Sequence, residues 1–149
     1  MSNKSTGTKF EKEFAAALAD HWFWVHLFQD NQNGQPCDVV AARNGETYLF
    51  DCKECQGEFF LLKRMEENQY NAMKLFELAG NGKGMFAIRF RKEKIFLIEY
   101  DRLEEMCTAG FKRINETVCR TQGKDLEEWF KSLSESEGWE EDHADHHWK

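Results

Sequence analysis

The chain has 149 residues, 41% of them hydrophobic and 32% charged, with a formal charge of −7 at neutral pH, a length that suits one domain burying about two-thirds of its unfolded surface. No apolar run approaches the roughly 18 residues needed to cross a bilayer, the N-terminal stretch lacks the apolar centre of a signal peptide, and five cysteines at irregular spacing make no disulfide framework, so a cytoplasmic protein without membrane contact is expected. The acidity is local: from Asp125 onward nine acids face only Lys131 and Lys149, whereas residues 1–124 balance 18 acidic against 18 basic side chains, which leaves room for a basic face.

Apolar residues at 10, 14, 15, 17 and 18 repeat with a helical period and predict a first helix starting near Thr6 to Thr8. "WFWVHLFQ" reads as a strand, with Trp22, Phe23, Trp24 and Val25 taken as sheet packing rather than a base-stacking platform. After the polar loop "DNQNGQP" come strand "CDVVAA", turn "RNGE" and strand "TYLFDCKE"; Asn44-Gly45 between apolar runs is the strongest short hairpin signal, because both turn positions need positive φ. Residues 61–80 predict a second helix stopped by Gly80, followed by strands "MFAIRF" and "IFLIEY", a short helix "DRLEEMCTAG", a segment "FKRINETVCR" of no clear type and a last helix "KDLEEWFKSL". Residues 135–149 are acidic and poor in aliphatics, and are expected to be a disordered tail on a domain spanning 1–134. The order α, β, β, β, α, β, β predicts a mixed α/β sheet with a central hairpin flanked by helices.

Charged residues sit where that hairpin should be apolar. Strand alternation points Asp51 and Lys53 to one face and Cys52 to the other, and the hairpin brings Asp38, at the start of the neighbouring strand, to the same end of the sheet. Two carboxylates and an ammonium in one cleft suit Mg²⁺, which takes one or two carboxylates and leaves water and substrate phosphate to complete its shell. A lysine there can neutralise charge developing on the phosphate.

The pattern Asp38, then Asp51-x-Lys53, with Pro36 just before, resembles the PD-(D/E)xK nuclease signature. With Gly7 and Glu11 in "GTKFE" and Gln69 in "FFLLKRMEENQ", residues from Gly7 to about Tyr100 resemble Holliday junction resolvases of the restriction-endonuclease-like fold, in their archaeal and bacterial RecU types. The resemblance implies a Mg²⁺-dependent endonuclease, with Mn²⁺ as substitute, acting on branched or four-way DNA as a homodimer. It implies Asp38 and Asp51 as metal ligands, Lys53 as the catalytic lysine, Glu11 as a metal or water ligand and Gln69 as a supporting residue. Asp at 51 stands where Glu is commoner. The short connection "QDNQNGQP" leaves no room for the long stalk of the bacterial enzymes.

Competing readings stay open. Asp38, Asp51 and Lys53 also fit a surface ion pair, Glu11 a solvated helix residue with Glu13 as its rival, and Gln69 an ordinary surface amide. A nuclease of the same fold acting on flapped, nicked or plain duplex DNA is one alternative function, and a non-catalytic DNA-binding or adaptor module is another. Cys52-x-x-Cys55 lacks a second pair to complete a zinc site, "GNGKG" at 80–84 reads as a helix stop and turn rather than a phosphate loop, and His143, His146 and His147 read as solvated.

Overall fold

The computed structural model describes residues 3–28 and 37–138; the loop 29–36 and the segment 139–149, with the tail histidines, lie outside the described residues. Helix α1 (Asn3–Asp20) leads into strands β1 (Trp24–Leu27), β2 (Val39–Arg43) and β3 (Glu46–Cys55). Strand β4 (Phe59–Leu61), a 3-10 turn (Leu62–Arg64) and helix α2 (Glu67–Leu78) carry the chain to strands β5 (Met85–Phe90) and β6 (Ile95–Glu99). Helix α3 (Tyr100–Thr108), strand β7 (Arg113–Asn115), helix α4 (Glu116–Gln122), strand β8 (Lys124–Asp125) and helix α5 (Leu126–Glu137) follow.

Six strands form one sheet in the order β1-β2-β3-β5-β6-β8, and β4 pairs with β7 in a separate ribbon. Only the β3–β5 pair is parallel, because the chain between them crosses over through β4 and α2; every other neighbour is antiparallel. The β2–β3 turn holds Asn44 at φ 52° and Gly45 at φ 81°, with Arg43 paired to Glu46, as the Asn-Gly signal predicts.

The alternation of strand side chains divides the core into two faces. Phe10, Phe14 and Leu18 of α1 and Trp129 and Phe130 of α5 cover Val39, Ala41, Phe50 and Ala87, with Phe14 edge-on to Phe50 at 5.0 Å. On the other face Met73 of α2, Leu103 and Met106 of α3 and Cys119 of α4 cover Leu49, Phe86, Ile88 and Ile98. Each such side chain, removed from water, contributes on the order of 1.5–3 kcal/mol.

Local boundaries differ from the sequence-based expectation at four places. The helix expected from residue 61 begins at Glu67, because Phe59–Leu61 pairs with Arg113–Asn115 and leaves Leu62–Arg64 as a single tight turn. The untyped segment 111–120 supplies that partner strand and then α4, whose first turn is capped by the Asn115 side chain accepting from the Val118 amide at 3.1 Å. Trp24, expected to pack in the sheet, is 64% exposed, since β1 is an edge strand and the residue faces away from α1. The domain boundary drawn at 134 falls inside α5, which runs to Glu137 and ends on left-handed Gly138. The extra turn is held because Glu137 pairs at 2.6 Å with Arg43, a β2 side chain only 3% exposed. Among the described residues no helix is long and apolar enough to cross a membrane.

Candidate active site

The β2–β3 register pairs Val39 with Phe50, which places Asp38 opposite Asp51. The Asp38 amide donates to the Phe50 carbonyl at 3.0 Å, and the Phe28 amide donates to the Asp38 carbonyl at 2.9 Å, so both sides of its backbone are pinned. Its carboxylate Oδ2 accepts from the Cys52 amide at 2.8 Å, which turns the side chain across the hairpin toward β3.

Asp51 is 1% exposed. Its Oδ1 accepts from Gln69 Nε2 at 3.1 Å, and its Oδ2 lies 3.1 Å from Lys53 Nζ. Burial, and after it the negative charge of Asp38, holds the Asp51 carboxyl well above the usual carboxylate range, with Lys53 pulling the other way. Gln69 reaches the site from the first turn of α2, where its Oε1 accepts from the Glu66 amide at 3.1 Å. These two partners fix the amide orientation, since an N–H needs the oxygen and a carboxylate needs the nitrogen. Four of the five side chains singled out in the sequence, Asp38, Asp51, Lys53 and Gln69, therefore meet in one place.

The fifth, Glu11, projects from α1 on the far side of β3. Its charge bears on the buried Cys52 thiol together with those of Asp38 and Asp51; burial first, then these three carboxylates, push that thiol well up. Glu11 does not close with the two aspartates into one cluster: among the described residues no three acid, histidine or cysteine side chains are grouped tightly enough to hold an ion. Its rival Glu13 is committed elsewhere, donated to by Arg89 Nη1 at 2.6 Å, and that bond lowers its pKa. Cys52 packs against the α1–α5 core while Cys55 is buried in the other, so the C-x-x-C pair is split across the sheet and cannot share a metal.

The donor set fits a hard divalent cation. Two carboxylates against one ammonium leave an excess negative charge in a buried place, with Lys53 Nζ 3.1 Å from Asp51 Oδ2. Two carboxylates held close together there repel each other, and oxygen ligands of this kind are those Mg²⁺ takes.

One charged group escaped the sequence reading. Arg89 on β5 donates to Glu54 Oε2 through Nε at 2.9 Å and Nη2 at 2.6 Å, reaches Glu13, and lies 4.3 Å over the Phe10 ring. It ties α1 to the central strands on both sides of Glu11. The available signal was that Glu54 follows Lys53, so alternation had to bury it on the α1 face, where it needed a cation.

Fold and site together define a nuclease of the restriction-endonuclease-like class, with a mostly antiparallel mixed sheet carrying an Asp, Asp-x-Lys centre. The chain belongs to the archaeal Holliday junction resolvase (Hjc) family, whose model matches residues 2–137, and it is accordingly an endonuclease that resolves Holliday junctions. Among solved structures it is similar to Hjc from Archaeoglobus fulgidus, a Holliday junction resolvase from an archaeal hyperthermophile, at 17% identity and a TM-score of 0.66, over 83% of this chain and 99% of that one. No curated protein matches the chain.

Proposed function

We propose that this resolvase works with Mg²⁺, for which Mn²⁺ can substitute, in the pocket of Asp38, Asp51 and Lys53, and that it acts on four-way DNA as a homodimer. The observation that carries the reading is the buried Asp51 carboxyl, set beside a second carboxylate, Asp38, with the single ammonium of Lys53 at 3.1 Å. When bound, the cation supplies Lewis acidity to the scissile phosphate.

The chain's own groups have separable tasks. Asp38 and Asp51 hold the ion. Gln69 occupies Asp51 Oδ1 and so leaves Oδ2 available, while the Cys52 amide does the same for one oxygen of Asp38. Lys53 opposes the charge that develops on the phosphate during attack. Two copies related by a twofold axis would cut the two strands of a symmetric junction.

Calorimetry with Mn²⁺ on the wild type, Asp38→Asn and Asp51→Asn, with cleavage of a four-way junction against a linear duplex with and without Mg²⁺, tests the reading. Each variant is expected to lose the heat of metal binding and to lose cleavage. Wild-type metal affinity in either would make that aspartate structural, and cleavage without any divalent ion would remove the metal from the mechanism.

A further inference from the structure

The ribbon of β4 and β7 has an outward face that the cleavage centre leaves unused. Phe60 and Ile114 are buried in the core, so strand alternation puts Phe59, Leu61 and Arg113 on the opposite side. The Leu62 amide donates to the Lys112 carbonyl at 3.0 Å, which extends the pairing and brings Phe111 into the same row. Phe111 is 53% exposed and Leu61 40%, and the Arg113 guanidinium lies 4.0 Å over the Phe59 ring.

Charge on this ribbon runs against that of the whole chain. Residues 59–64 and 111–115 contain Lys63, Arg64, Lys112 and Arg113, all exposed, and no acid, in a protein of net charge −7. Among the described residues Lys63, Lys112 and Arg113 enter no ion pair. The exposed Phe111 ring and the half-buried Phe59 ring, beside cations outside any ion pair, call for a partner that is polyanionic and also offers flat apolar surfaces. A closed DNA duplex supplies phosphates but hides the faces of its bases; a single strand supplies both. Arg64 Nη1 donates to the Glu54 carbonyl at 3.1 Å, one residue beyond Lys53, so the ribbon adjoins the end of β3 that carries the site.

We infer that the outward β4–β7 face is a subsite for unpaired nucleotides, resting on the nuclease reading for its substrate and set beside the cleavage centre to favour DNA whose strands are open near the cut. The apolar row takes base faces, and Arg113, on the same face, takes the backbone. Loss of one such stacking contact weakens single-strand binding by about fivefold or more.

Fluorescence anisotropy in EDTA, with a labelled oligothymidylate and a blunt duplex of equal length, tests this in the full chain without cleavage, so its failure is distinct from a failure of the metal assignment. Phe111→Ala and Leu61→Ser, both at exposed positions, are expected to weaken oligothymidylate binding by at least about fivefold while duplex binding changes much less. Arg113→Gln, should either of those fail to fold by circular dichroism, is expected to weaken the same complex and lower its salt dependence by about one phosphate contact. Equal losses on both DNAs, or no loss in any folded variant, would overturn the subsite. So would unchanged oligothymidylate affinity with a smaller sedimentation coefficient, which would give the face to a second copy of the chain.

Discussion

The two faces of the central sheet both bury charge and treat it in opposite ways. On the α1–α5 face Arg43 meets Glu137 at 2.6 Å and donates to the His21 carbonyl at 2.9 Å, and Arg89 meets Glu54 and Glu13. Each guanidinium also lies over an aromatic ring, Phe23 or Phe10. On the opposite face two carboxylates, Asp51 and Asp38, lie side by side with one ammonium, that of Lys53, beside Asp51. Balanced buried charge ties elements together, whereas unbalanced buried charge shifts a pKa and marks a candidate functional site.

The largest effect is expected where the imbalance lies. Lys53→Ala should reduce junction cleavage by about 10²-fold or more while DNA affinity stays within a few-fold, measured by single-turnover cleavage and by binding in Ca²⁺. Full activity in that variant would dissolve the distinction between the faces, since Lys53 would then be one more structural cation.

The balanced face should answer in stability instead. Glu137→Gln removes the partner of a guanidinium that is 3% exposed, and breaking a buried pair from one side costs about 3 kcal/mol, read as a lower denaturation midpoint with cleavage per folded molecule unchanged. Truncation after Ser134 should act in the same direction, because it removes Glu135–Glu137 from the end of α5. A Tm equal to that of the wild type would mean that the remaining partners of Arg43, among them the His21 carbonyl, the Ser134 hydroxyl and the Phe23 ring, suffice to satisfy it.

The smallest effect has the opposite sign. The Asp51 carboxyl binds its proton more tightly folded than unfolded. Its contribution to stability is therefore fully present below the usual carboxylate range and is lost as pH rises through its raised folded value. Asp51→Asn should then stabilise the metal-free protein at neutral pH by about 1 kcal/mol, less at mildly acidic pH, and should forfeit the stabilisation that added Mg²⁺ gives the wild type. Urea titrations at two pH values, with and without Mg²⁺, check all three points; destabilisation at neutral pH would show that Lys53 already compensates the charge.

Legibility in the sequence followed the range of the interactions. The Asn44-Gly45 turn and the alternation of β2 and β3 are local, and they are enough to gather Asp38, Asp51 and Lys53 from the sequence alone. Leu61–Arg64 reads as helix because Leu, Lys and Arg are good helix formers, while the partner that makes a strand of Phe59–Leu61 lies more than 50 residues later at Arg113–Asn115. The end of α5 is illegible for the same reason: the acid at 137 looks solvated until it is paired with Arg43, 94 positions earlier in the chain. Gln69 was found through resemblance, but its double attachment, to the Glu66 amide and to Asp51, needed the crossover between β3 and β5.

The Cys52 amide that grips the Asp38 carboxylate has a bearing on how the molecule assembles. That contact spans 14 residues and the Gln69 contact spans 18, so both aspartates can be brought together by a hairpin that closes in microseconds, ahead of the helices that later bury it. A slip of one residue in the hairpin would carry Asp51 to the α1 face and leave Asp38 behind. The two turn residues, Asn44 and Gly45, thus act as the timing and alignment device of a hydrolytic centre they never touch: the chain commits to its chemistry at the moment it chooses a strand register.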